Sequence, residues 1–126
     1  MPQPIKVLII DREPEFASIL TERLHSWGFA ASAAHGKEEA LDALADFAPK
    51  VVVLGLQDKD SGGLELLSMI KAFNPAIEVL LLIGKGMAIA GMQGIERGAF
   101  DYIPQPIELG VLIGKIRKAA GVEADQ

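Results

Sequence analysis

A chain of 126 residues holds one domain, long enough for a real core and too short for two. Half of it is hydrophobic and 23% is charged, a globular balance, and the formal net charge of −5 argues against nucleic acid as the main partner. With no cysteine, no apolar run of bilayer length and no signal-peptide character at Met1-Pro2-Gln3-Pro4, disulfides, thiolate sites and a membrane partner are excluded and a cytoplasmic location is expected.

Residues 5–10 read as a buried strand that ends at Asp11-Arg12-Glu13. Pro14 suits a first helical position, and Phe16, Leu20, Leu24 and Trp27 then fall on one helical face, which Gly28 closes. Residues 29–34 form a short strand of small residues. His35-Gly36 turns into a helix that carries Ala40, Leu41, Leu44 and Phe47 on one side and stops at Pro49. Residues 51–56 are a nearly β-branched run, which predicts a strand buried on both faces and therefore central and parallel. A polar loop follows, then a helix over 64–73 ended by Asn74-Pro75.

Residues 77–83 are another apolar strand, and Gly84-Lys85-Gly86 leads into a helix over 87–97. Gly91 and Gly94 weaken that helix by about 1 kcal/mol each against alanine. A brief strand at 100–103 and Pro104-Gln105-Pro106 precede a last helix over 107–120, with Leu109, Leu112, Ile113 and Ile116 on its core face. Lys115, Arg117 and Lys118 stand in its last turn, where cations complement the helix dipole. Residues 121–126 are a polar tail or the start of a linker, so the domain core is expected over 5–120 within a single domain of residues 1–126.

Strand and helix alternate five times. That order implies a parallel sheet with helices on both faces and right-handed crossovers. A site would lie outside the carboxyl ends of the strands, where the winding reverses, and that edge collects Asp11, Arg12, Gly55, Ile83, Gly84 and Gln105. No nucleophile–base pair or complete phosphate-binding glycine motif is present, so no enzyme activity is expected.

Val7-Leu8-Ile9-Ile10-Asp11 with Glu13-Pro14, Gly62-Gly63-Leu64-Glu65-Leu66-Leu67, Gly98-Ala99-Phe100-Asp101-Tyr102 and Pro106 stand together at a telling spacing. Through them the chain resembles, from Lys6 to about Ala120, the receiver domain of two-component response regulators. The resemblance implies a CheY-like, flavodoxin-like α/β fold, a three-layer sandwich of five strand–helix units with strand order 2-1-3-4-5. It also implies a phosphoryl group passed from a histidine kinase to an aspartate that closes the third strand, and here that residue is Gly55. The acidic pair that helps hold Mg²⁺ is Asp11 and Arg12. The hydroxyl residue that closes the fourth strand is Ile83, and the lysine before Pro106 is Gln105. Gly84 and Tyr102 match the pattern, and Pro106 implies a cis peptide after Gln105. Mg²⁺ needs an octahedron of hard oxygens, so these departures agree with one another: no Mg²⁺, no other cofactor and no phosphoryl chemistry are expected, as in a pseudo-receiver.

Arg12 either folds into the room left by Gly55, pairing with Asp11, Asp58 or Asp60, or is a solvated surface residue. Asp58 and Asp60 read as solvated loop carboxylates, His25 and His35 as surface histidines, and Gly110 with Gly114 as a weak small-residue pattern. The expected function is protein contact through the fourth helix, fifth strand and fifth helix, a face that includes Tyr102, Met87, Met92 and Val111. The partner would be a histidine kinase, an output domain or another regulator, with a homodimer through the same face as a further possibility. Two other readings stay open: a receiver phosphorylated at Asp58 or Asp60, and a small-ligand sensor that uses the vacated cleft.

Overall fold

Alternating aliphatic strands leave this chain one way to bury both sides of a sheet, which is to place helices on each. The computed structural model describes residues 3–57 and 62–122. Its elements run β1 (Lys6–Ile10), α1 (Pro14–Ser26), β2 (Ala30–Ala34), α2 (Lys37–Asp46), β3 (Val51–Leu56), α3 (Gly63–Phe73), β4 (Glu78–Ile83), α4 (Ala88–Glu96), β5 (Asp101–Pro104) and α5 (Leu109–Ala119). The five strands are all parallel and lie in the order β2-β1-β3-β4-β5. The expected three-layer α/β sandwich is therefore present, with element ends within two residues of those read from the sequence.

The two-residue strand period divides the core. Leu8, Ile10, Val52, Leu54, Leu81 and Ile83 face α2, α3 and α4, while Val7, Ile9, Val51, Val53, Leu80 and Leu82 face α1 and α5. This alternation explains why β1, β3 and β4 read as unbroken apolar runs: each side meets a helix layer. On α5 the buried residues are Leu112, Ile113, Ile116 and Ala119, while Leu109, expected on the same face, is only partly buried. Pro14 occupies the start of α1, where its missing N–H has no helical partner to lose.

Trp27 departs from its predicted place on the core face of α1. It caps the helix after Ser26 and is 52% exposed. The turn that Gly28 makes, with φ of 93°, brings Phe29 rather than Trp27 into the α1–α5 layer. No helix among the described residues is long and apolar enough to cross a membrane.

Candidate functional site

In a parallel sheet the carboxyl ends of the strands share one edge, and register decides which side chains meet there. Ile10 pairs with Leu54, so Asp11 and Gly55 are the next positions on adjacent strands. Both continue the odd-numbered positions that face α1 and α5, and cross-strand neighbours on one face lie roughly 5 Å apart. The Asp11 N–H donates to Ala34 O, which extends the β1–β2 ladder one residue further and holds the aspartate's backbone in strand geometry.

Gly55 leaves a vacancy beside that aspartate, and the Asp11 side chain fills it. A Cβ built on Gly55 would stand 3.2 Å from Asp11 Cγ and would overlap Asp11 Oδ2 outright. Asp11 is only 3% exposed and is the one buried charged residue among those described. Its Oδ1 accepts from the backbone N–H of Glu13 at 2.9 Å and from Gln57 Nε2 at 3.0 Å. Burial pushes the Asp11 carboxyl above its usual range. The Glu13 N–H bond, the Gln57 bond and the nearby His35 oppose that rise without cancelling it, and the Glu13 charge adds to it.

Arg12 is exposed, and neither of the ion pairs among the described residues, Lys71–Glu78 and Lys115–Asp101, includes it. Asp11, not Arg12, thus occupies the space beside Gly55. Asp58 and Asp60 lie outside the described residues, as do residues 123–126 of the tail. Ile83 is buried against the α2–α4 layer. The Gln105 N–H donates to Ile83 O at 2.9 Å, Gly84 is half-buried, and Gln105 and Pro106 are exposed with a cis peptide between them. The cis bond matches the expectation from the resemblance.

Could these residues hold Mg²⁺? Among the described residues no group of three or more histidines or carboxylates is spaced to hold a metal ion. The single buried carboxylate at this edge already accepts two N–H bonds. Mg²⁺ keeps several waters and takes about one or two carboxylates; among the described residues this edge offers one, with its Oδ1 already engaged. A cleft of about 130 Å³ opens beside Asp11 toward Arg12, Gly36, Lys37, Gly63 and Glu65.

The second grouping lies on α4, β5 and α5. Tyr102 is half-buried and packs against the core, and a Cβ on Gly91 would lie 2.7–2.9 Å from its ring carbons. The ring therefore rests on bare helix backbone. Met87 is partly buried, whereas Ile89, Met92, Ile95 and Val111 are exposed at 73%, 59%, 43% and 42%. Lys115 Nζ bonds Asp101 Oδ2, tying α5 to β5.

The sequence reading missed two residues at the carboxyl edge. Gln57 has no chemistry of its own, but its position two residues beyond Gly55, on the same face, was a usable signal. His35 is half-buried rather than a plain surface residue, with Nδ1 3.2 Å from Asp11 O. His25 is exposed, with Nε2 3.0 Å from Ala31 O.

A family model described as the response regulator receiver domain matches residues 7–117. The chain is 30% identical over 114 residues to the transcriptional regulatory protein TrcR of Mycobacterium tuberculosis, covering 90% of this chain and 44% of that protein. It is 32% identical over 109 residues to the nitrogen assimilation regulatory protein NtrX of Azorhizobium caulinodans, covering 85% of this chain and 24% of that one. The chain thus spans less than half the length of these relatives. Among solved structures, the receiver domain of NtrX from Brucella abortus superposes with a TM-score of 0.85 at 29% identity, over 93% of this chain and 99% of that one.

Proposed function

The chain belongs to the response regulator receiver domain family, and we propose that it is a receiver that works by protein contact without accepting a phosphoryl group. One observation carries this reading: the strand end where the family's resemblance places the acceptor is Gly55, and the Asp11 carboxylate lies in the space a side chain would need. Phosphoryl transfer depends on positioning and on cations that neutralise the moving charge. At this edge Ile83 and Gln105 supply neither a hydroxyl nor a cation, and the described residues bring together no group of three or more histidines or carboxylates.

Contact would run through the α4–β5–α5 face. Ile89, Met92 and Ile95 form an exposed apolar stripe on α4, with Val111 exposed on α5, and a protein that keeps such residues in water usually covers them with a partner. That partner is a histidine kinase, an output domain, another regulator or a second copy of this chain, in the cytoplasm. The small-ligand reading is weaker on size alone, since the cleft of about 130 Å³ falls short of the roughly 300–1,000 Å³ of ordinary ligand pockets.

Incubation with acetyl phosphate and Mg²⁺, followed by intact-mass spectrometry, tests the reading. No added phosphoryl mass is expected; a stable adduct, on Asp58, Asp60 or elsewhere, would overturn it. The contact face is tested by Ile89→Ser with Met92→Gln, which should weaken partner capture or self-association while changing stability by only about 0.5 kcal/mol per site.

A further inference from the structure

We propose that Asp11 and Gln57 form a permanent latch that takes the place of the absent side chain at residue 55 and closes this edge to a divalent cation. The latch is read from geometry and needs no assumption about signalling. Only its consequence, a receiver held in one state at its acceptor edge, rests on the function proposed above.

Asp11 Oδ2 occupies the volume beside Gly55, and Oδ1 faces two N–H donors, Gln57 Nε2 and the Glu13 backbone. Gln57 follows β3 and Asp11 follows β1, so this one side-chain bond ties together loops that are 46 residues apart in sequence. Gln57 itself is exposed, yet its amide is aimed inward at a carboxylate that is 3% exposed. A buried carboxylate left without donors is costly, which gives the bond its hold. A cation that reached Oδ1 would meet N–H groups rather than oxygens. It would have to break both bonds to gain Oδ1, and Oδ2 by itself offers it a single ligand.

Every buried side-chain polar atom among the described residues has a hydrogen-bond partner. Gln57 acts here as a positioning residue: it holds Asp11 in the place beside Gly55.

A mutant cycle tests the latch. Gly55→Ala in the wild-type chain should lower the melting temperature by about 5 °C, because its Cβ must displace the Asp11 carboxylate. In an Asp11→Ala background the same change should cost less than half as much. Equal losses in both backgrounds would overturn the proposal. The wild-type chain supplies a second readout that does not depend on the variants folding. The Gln57 side-chain amide protons should exchange slowly and resonate away from solvent-exposed glutamine, and should return to ordinary values in Asp11→Asn or Asp11→Ala. Solvent-like behaviour in the wild type would sink the latch. Millimolar Mg²⁺ should produce no saturable amide shifts at residues 11 and 55; saturable shifts there would refute the closure. Phosphoryl uptake at some other residue would defeat the proposed function and leave the cycle untouched, so the two failures are distinguishable.

Discussion

Gly55 and Gly91 each lie beneath a side chain from a neighbouring element, and the two contacts have opposite consequences. Beside Gly55 the filling group is a carboxylate drawn out of water and held by two N–H donors. Over Gly91 it is the ring of Tyr102, which buries apolar area against helix backbone. The first arrangement engages Oδ1 of the one buried carboxylate among the described residues. The second packs α4 close to the sheet and leaves its outer stripe of Ile89, Met92 and Ile95 open. In each place a missing side chain lets a neighbouring group settle against bare backbone. Gly94 extends the same device, since a Cβ there would overlap Leu81 Cδ1 in the core.

The sharpest break in this comparison is Gly55→Asp. Its Cβ enters occupied space and its carboxylate meets that of Asp11, so overpacking and like-charge repulsion add. At neutral pH the expected loss is about 3 kcal/mol or more by urea unfolding, well above that of Gly55→Ala. A Gly55→Asp protein as stable as the wild type would show that Asp11 moves aside freely.

Gly91→Ala should cost less, about 1–2 kcal/mol net, even though alanine is the better helix former by about 1 kcal/mol. The ring carbons that it meets are near the root of the Tyr102 side chain and cannot swing away as a flexible tip would. In a Tyr102→Ala background the same substitution should become neutral or stabilising. A loss of the same size in both backgrounds would mean that Tyr102 is not what limits α4.

The smallest effects are in pH dependence, and the two regions differ in sign. Asp11 is raised, chiefly by burial, so the folded chain binds its proton more tightly than the unfolded chain does. Its contribution to stability therefore declines as pH climbs through the window above the usual aspartate range. Burial alone would also raise Asp101. The Lys115 hydrogen bond, the Tyr102 N–H and the Lys115 and Lys118 charges outweigh it and hold the pKa below the usual range. That stability is present above the ordinary aspartate value and is lost as pH falls through the depressed one. Asp11→Asn should flatten the first slope and Lys115→Ala the second, each followed by urea midpoints between about pH 3 and 7. Because Asp101 and Lys115 are each a third exposed, the second change should be slight.

Much of this molecule was legible before any coordinates. The runs at β1, β3 and β4 can only be buried strands, and Pro14, Gly28 and Pro49 punctuate them with local backbone rules. The order of elements then leaves a parallel sheet with helices on both faces. The same reading put Gly55 and Asp11 at one edge, because strand ends in such a sheet must gather there. It could not say what fills the space beside Gly55. Arg12 and Asp11 are adjacent in sequence and both carry charge, and only the register of β1 against β3 turns Asp11 toward position 55 and leaves Arg12 in solvent.

The role of Gln57 was hidden for a related reason: its spacing from Gly55 gives the face it is on, but its bond to Asp11 spans 46 residues, far beyond the reach of any local pattern. Gly91 shows the same limit in the other direction. By propensity it reads as a weak point in a helix, whereas the packed structure makes it the surface on which Tyr102 lies. Periodicity and turn chemistry act over a few residues, and so they determine which segments form and which way they face. What one side chain finds opposite it depends on how those segments stack, and that only the tertiary structure decides.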